Sequence, residues 1–288
     1  MPASALVLVL AAAVLHVGWN ALAKRGRHPL CFLWLAQSLS ALLLLPAAGW
    51  LMVVEGVAPV AWLFVLATAG LHALYFYALG RSYRSGAFSL VYPVARGLGV
   101  ALVPVAALGL FQEKPSPLGG LGVGLVVLGV IVLQLTTHGW VRLASQLRHV
   151  GAGTGWAALT GLTITSYSLV DKAGVARLHP VPYVTLMGLV TSVLLLPLVL
   201  AAGNDLRREW ALNWRSVVIA STMTLSAYLL ILFAFRLSKV GYVVAARELS
   251  IVLSALVGSL WFKEGPLGPR LVGASIVATG VACVALAR

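Results

Sequence analysis

Charge is scarce in this sequence. Only 9% of its 288 residues are Asp, Glu, Lys or Arg, against roughly 25% in a soluble globular chain. That leaves too little polar surface to cover a water-soluble globule of this size, so the solvent is a bilayer. Acids number only 7. No cluster of acids, histidines and nucleophiles gathers at one membrane face, and His28 and His179 stand alone on links. This argues against a membrane enzyme acting on a lipid phosphate. The two cysteines, Cys31 and Cys283, lie in apolar runs without ligand-spaced neighbours. Neither a disulfide framework nor a metal site is expected, and no cofactor is. The net charge is +13, but its basic residues sit singly or in small groups between apolar runs. Without a basic stripe, nucleic acid is not an expected partner. The pattern fits headgroup contact and topology control.

What the chain does have is long apolar runs. A membrane-spanning helix needs about 20 mostly apolar residues. Ten segments qualify: 3–23, 30–53, 60–80, 87–111, 118–137, 156–175, 181–201, 217–237, 240–262 and 267–286. The links are short except for 138–155 and 203–216, so no soluble domain fits between spans. Barrel strands would alternate apolar and polar residues over about ten positions. These runs are continuous and longer, so the spans are helices. The opening ALVLVLAAAVL could pass for a signal peptide, but no Lys or Arg precedes it and it has a counterpart later in the chain. It reads as a retained first span.

The chain repeats itself at a shift of 151 residues. His28-Pro29 falls on His179-Pro180, Pro46 on Pro197, Arg96 on Arg247 and Pro115 on Pro266. Phe111-Gln112-Glu113 falls on Phe262-Lys263-Glu264, Gly122 on Gly273 and Gly129 on Gly280. Matches that hold one shift along the repeat indicate duplication. Five spans per half is odd, so the second half enters the membrane in the opposite orientation, the inverted-repeat plan of many secondary transporters. The expected fold is an all-α integral membrane protein of ten transmembrane helices in two inverted five-helix repeats. The first repeat is 1–137, the linker 138–155 and the second repeat 156–288.

The stretches SLVYPVARG, FQEKPSP and GLGVGLVVLGVIVL are echoed by AARELS, FKEGPLGPR and LVGASIVATGV. With the opening HVGWNALAKR, they resemble the drug/metabolite transporter superfamily, EamA-like branch, over essentially the whole chain. The resemblance implies a central cavity and transport of small metabolites, often outward. It also implies both termini in the cytoplasm of a bacterial inner membrane. Links after odd-numbered spans carry more Lys and Arg than the others, which by itself would put the termini outside; the family's topology is preferred. Small four-span multidrug members carry a glutamate in the first span. Here that span has His16 and no carboxylate, so export of lipophilic cations by that route is not expected.

Arg96 lies deep in the fourth segment, where a charge costs at least ~2.5–3.5 kcal/mol on insertion scales. At helical spacing it shares a face with Ser89, Tyr92 and Gly99. The ninth segment carries Arg247, Ser250, Ser254 and Gly258, and the sixth Thr160, Thr163, Tyr167 and Asp171. The third carries Thr68, His72 and Tyr75, and the first His16, Trp19 and Asn20. Lipid would reject such stripes, so they should line a cavity. Arg96 and Arg247 are the candidate anion ligands. Tyr92, Trp19, Tyr75, Tyr167, Ser250 and Asn20 would surround the rest of a substrate. His16, His72, Asp171 and Glu248 are candidate proton carriers. A structural alternative pairs the arginines with Glu248 and Asp171. Glu113 and Glu264 are expected to cap the helix that follows each.

The expected function is a secondary transporter for a small polar metabolite: an amino acid, a carboxylate or a phosphorylated compound. It would work by alternating access around a midplane site, in contact with membrane lipid, as a monomer or homodimer. The alternative is a flippase for a lipid-linked sugar.

Overall fold

Proline opens several of the helices. Pro59, Pro117 and Pro180 are each a first helical residue, where the missing N–H has no helical partner to lose and the fixed φ is already helical. The structure is a computed structural model and describes residues 1–23, 29–85, 88–138, 152–201, 206–253 and 267–287. His28, Glu264, residues 254–262 of the ninth expected segment and the side chain of Tyr92 lie outside the described residues.

Among the described residues every regular element is a helix. In chain order they are α1 (Ala3–Ala23), α2 (Pro29–Glu55), α3 (Pro59–Ser85), α4 (Phe88–Phe111), α5 (Pro117–His138), α6 (Ala152–Val175), α7 (Pro180–Ala201), α8 (Leu206–Leu237), α9 (Val240–Arg247) and α10 (Leu267–Leu286). Six of them are long and apolar enough to cross a membrane: α1, α2, α3, α4, α7 and α8. Shorter apolar helices run 117–133 and 271–286. The chain is therefore a multi-pass helical membrane protein.

Two elements depart from the sequence expectation. Residues 206–216, read as link, form the first turns of α8. They are rich in good helix formers, and Glu209 in the first turn suits the positive helix N-terminus. Asn213 Nδ2 donates to Glu209 Oε1 one turn back at 2.8 Å. The ninth segment is not one continuous helix. It ends as α9 at Arg247, tightens at Glu248, and is helical again over 249–253. At the break Glu248 N–H donates to Ala245 C=O at 3.1 Å and Ile251 N–H to Glu248 C=O at 2.9 Å, the three-residue spacing of a tightened turn.

The chain forms two compact units, each drawing on both sequence halves. The first comprises Met1–Leu10, Leu74–Leu169 and Leu237–Arg288. Its core pairs α5 with α10. A Cβ at Gly122 would lie 2.7 Å from Gly280 C=O, and a Cβ at Gly280 2.7 Å from Gly122 C=O. Further along, a Cβ at Gly129 would fall 3.0 Å from Gly273 C=O and one at Gly273 2.5 Å from Leu133 N. Contact numbers rise on one helix as they fall on the other, so the pair is antiparallel. Such reciprocity is what a two-fold relation leaves at a contact. Without side chains at these glycines the backbones approach closely, which is how helices pack where lipid removes the hydrophobic drive. Also in this unit, α9 lies against α4, α5 and α10. Glu113 Oε2 accepts from Val240 N–H at 2.7 Å. Glu113 therefore caps α9, a helix far from it in sequence. Gln112 turns the chain there with φ 55°, and its side-chain amide donates to Gly109 C=O at 3.2 Å.

The second unit comprises Ala11–Ala73 and Val170–Arg236. Here α2 packs on α7. Trp34 Nε1 donates to Ser192 C=O at 2.8 Å, and Ser40 Oγ to Ser221 C=O of α8 at 2.8 Å. Gly188, the counterpart of Gln37 at the repeat shift, sits on Gln37 itself: an added Cβ would lie 3.0 Å from Nε2.

Candidate functional site

Each unit holds one buried polar cluster. In the first unit, α4 carries Arg96 and the α9 break carries Glu248. Arg96 Nη2 donates to Glu248 Oε1 at 2.8 Å and Nε to Oε2 at 3.2 Å. This is a side-on, two-point pairing of guanidinium and carboxylate, the strongest geometry for such a pair. Glu248 is 1% exposed, so its charge depends on that guanidinium. The structural alternative foreseen for Arg96 is thus the contact the structure contains.

Arg247 precedes Glu248 and is only 8% exposed. The guanidinium donates a side-chain hydrogen bond to the Tyr167 hydroxyl oxygen of α6, and the charges of Arg96 and Glu248 act on it. Among the described residues its Nε and Nη2 have no hydrogen-bond partner. Among the described residues two guanidiniums face one carboxylate, which gives these three side chains a net positive charge. Tyr75 reaches it through Tyr167, their rings edge to face with centroids 5.9 Å apart. Ser250, just past the break, is buried. Arg96, Arg247, Glu248, Tyr75 and Tyr167 therefore form one group from four segments. Glu248 enters it as the partner of Arg96.

The second unit gathers a different group around Asp171, which is 0% exposed. Thr68 Oγ1 of α3 donates to Oδ1 at 2.6 Å, and Tyr183 O–H of α7 donates to the same oxygen at 2.9 Å. Tyr228 of α8 donates a short hydrogen bond to Oδ2. The Tyr228 hydroxyl also lies 3.0 Å from His72 Nε2. His72 Nδ1 is 2.9 Å from Thr68 C=O and 3.1 Å from Thr68 Oγ1. Three hydroxyl donors on one carboxylate solvate its charge in place of water. Gly174 makes room for this: a Cβ there would lie 2.3 Å from the Tyr183 ring. Gly174→Ala should displace Tyr183 from Asp171 and lower the melting temperature by the effect of about 1–3 kcal/mol of overpacking, readable by a thermal melt of the purified protein.

The structure thus brings together His72 and Asp171, both expected as proton carriers. It adds Tyr183 and Tyr228, which the sequence reading did not single out. The signal available for Tyr228 was a lone hydroxyl in the apolar run AYLLILF. His16, Trp19 and Asn20 on α1 are placed differently. Trp19 packs against the apolar group of Ala23, Phe32, Ala36, Val217 and Ala220, with the His16 ring edge-on at 4.9 Å. Asn20 is exposed and its amide donates to His16 C=O of its own helix at 2.7 Å. Lys172 caps the end of α8 by donating to Phe235 C=O.

Residues 151–286 match the EamA-like transporter family. A 71-residue stretch is 34% identical to a multidrug transporter of Pseudomonas aeruginosa. That match covers 25% of this chain and 64% of the relative, so the chain spans less than two thirds of it. A protein solved by crystallography shares the fold over 99% of both chains, with a TM-score of 0.73 and 19% identity.

Proposed function

We propose, on the premise that the chain belongs to the EamA-like transporter family, which residues 151–286 match, that it is a secondary transporter exporting a small polar metabolite with an anionic group. Amino acids, carboxylates and phosphorylated compounds fit that description. The observation that carries the reading is Arg247: a charged side chain, 8% exposed, with two N–H groups unpartnered among the described residues. A charge held so deep in an apolar helical protein is a substrate or ion contact by default. The net positive cluster favours an anion. It sets this chain apart from carriers of lipophilic cations, whatever the substrates of the relative named a multidrug transporter.

The ten-helix, two-repeat plan is part of this proposal; the reciprocal glycine contacts of α5 and α10 support it. Both termini would face the cytoplasm of the bacterial inner membrane, with export by alternating access. Proton coupling is assigned to Asp171, Tyr228 and His72, since one proton can reside at either end of that hydrogen-bonded array and pass through the phenol.

Purified protein in liposomes should move anionic metabolites without ATP, faster when a proton gradient is imposed. Arg247→Gln should abolish this while folded protein remains in the membrane. Equal transport by that variant would remove the arginine from the mechanism, and activity confined to lipid-linked sugars would favour a flippase.

A further inference from the structure

The two arginines are counterparts in the repeat, yet their surroundings differ. At the shift of 151 residues Arg96 corresponds to Arg247, and the residue after it, Gly97, corresponds to Glu248. The second half therefore carries Arg-Glu where the first carries Arg-Gly. Glu248 reaches Arg96 with both oxygens on Nη2 and Nε. Under a two-fold relation between the halves, the reciprocal contact would run from Arg247 to a side chain at position 97. The chain has no side chain there.

Three observations meet at that point. Nε and Nη2 of Arg247, the same two atoms that Arg96 gives to Glu248, have no partner among the described residues. Arg247 is more than nine-tenths buried. A Cβ added at Gly97 would meet no atom within 4 Å, so the space a side chain would take is open. Gly241 stands against Pro104 and Glu248 against Arg96, so α9 and α4 run antiparallel and positions 97 and 247 fall at the same level along the pair.

We propose that Arg247 and Gly97 form a carboxylate-binding site, in which a ligand carboxylate occupies the space over Gly97 and takes Nε and Nη2 of Arg247 as Glu248 takes those atoms of Arg96. The planar fork of a guanidinium matches a carboxylate edge, and the Arg96–Glu248 pair displays that match in the same protein. The guanidinium also donates a side-chain hydrogen bond to Tyr167. The proposal rests on the transporter reading and narrows its substrate from anions in general to carboxylates.

Melting of the purified full-length protein tests it, with acetate as probe, acetamide as its neutral counterpart and inorganic phosphate as a rival anion, all at constant ionic strength. Acetate should raise the melting temperature along a single-site saturation curve, acetamide should not, and phosphate should do so less than acetate. The acetate response should be lost in Arg247→Gln and in Gly97→Glu. Without any ligand, Gly97→Glu should melt a few degrees above Gly97→Gln, because its own carboxylate fills the site, and Arg247→Gln should erase that difference. An acetate response equal in the wild type and Arg247→Gln, a stronger phosphate response, or no gain of Gly97→Glu over Gly97→Gln would each overturn the site. Liposome transport separates this from the broader reading. Transport of carboxylates unchanged in both variants sinks the site and spares the carrier. Acetate protection without transport of any solute sinks the carrier and spares the site.

Discussion

Asp171 sits among hydroxyl groups, whereas Arg247, beyond its contact with Tyr167, has two nitrogens without a hydrogen-bond partner among the described residues. Both are buried charges in apolar helical surroundings, and burying a charge is tolerated only where something replaces water. Around Asp171 the protein supplies that replacement from three helices. Around Arg96 it supplies a full carboxylate. Around Arg247 it supplies less among the described residues: Nε and Nη2 have no hydrogen-bond partner there. The first unit thus holds a cationic cluster that a ligand would complete. The second holds a carboxylate that already accepts three hydroxyl hydrogen bonds, the array proposed above to pass a proton.

The contrast predicts unequal costs. Glu248→Gln should be the most damaging single change, since it takes the carboxylate charge from the Arg96 pair and from beside Arg247. Breaking a buried pair from one side costs about 3–5 kcal/mol, and a melt in detergent should show a large drop or loss of folded protein. The double change Arg96→Met with Glu248→Leu should recover most of that drop, because a buried pair replaced by apolar residues is often neutral. Failure to recover would mean that the pair holds the α9 break by more than charge. Asp171→Asn should cost less, about 1–3 kcal/mol, because an amide oxygen still accepts from a hydroxyl. In liposomes it should also remove the response to a proton gradient. Tyr183→Phe deletes one donor to Asp171 and should cost about 0.5–1.5 kcal/mol, leaving the proton response in place because Tyr228 and His72 remain. If Tyr183→Phe removed that response as fully as Asp171→Asn, the proposed division of labour around the carboxylate would be wrong.

Much of this was legible beforehand. The helices and most of their ends followed from apolar run length. The residues Arg96, Arg247, Tyr167, His72 and Asp171 stood out because a charge or polar stripe in a long apolar run needs a reason. Less legible was the start of α8 at Leu206, because local helix formers mattered more there than hydropathy. The break at Glu248 was hidden as well, since its sequence surroundings read as one apolar helix. Trp19 looked like a cavity residue by its helical face, but aromatic rings serve apolar packing equally well and the contacts went that way.

Composition and periodicity were enough to determine that this chain lives in a membrane as helices, because backbone groups in lipid must be satisfied within a segment and that requirement is written locally. Partner choice is not local. Only the tertiary structure decided that Glu248 neutralises Arg96, and that Tyr183 and Tyr228 converge on Asp171, because those contacts join residues far apart in sequence through the angle at which helices cross.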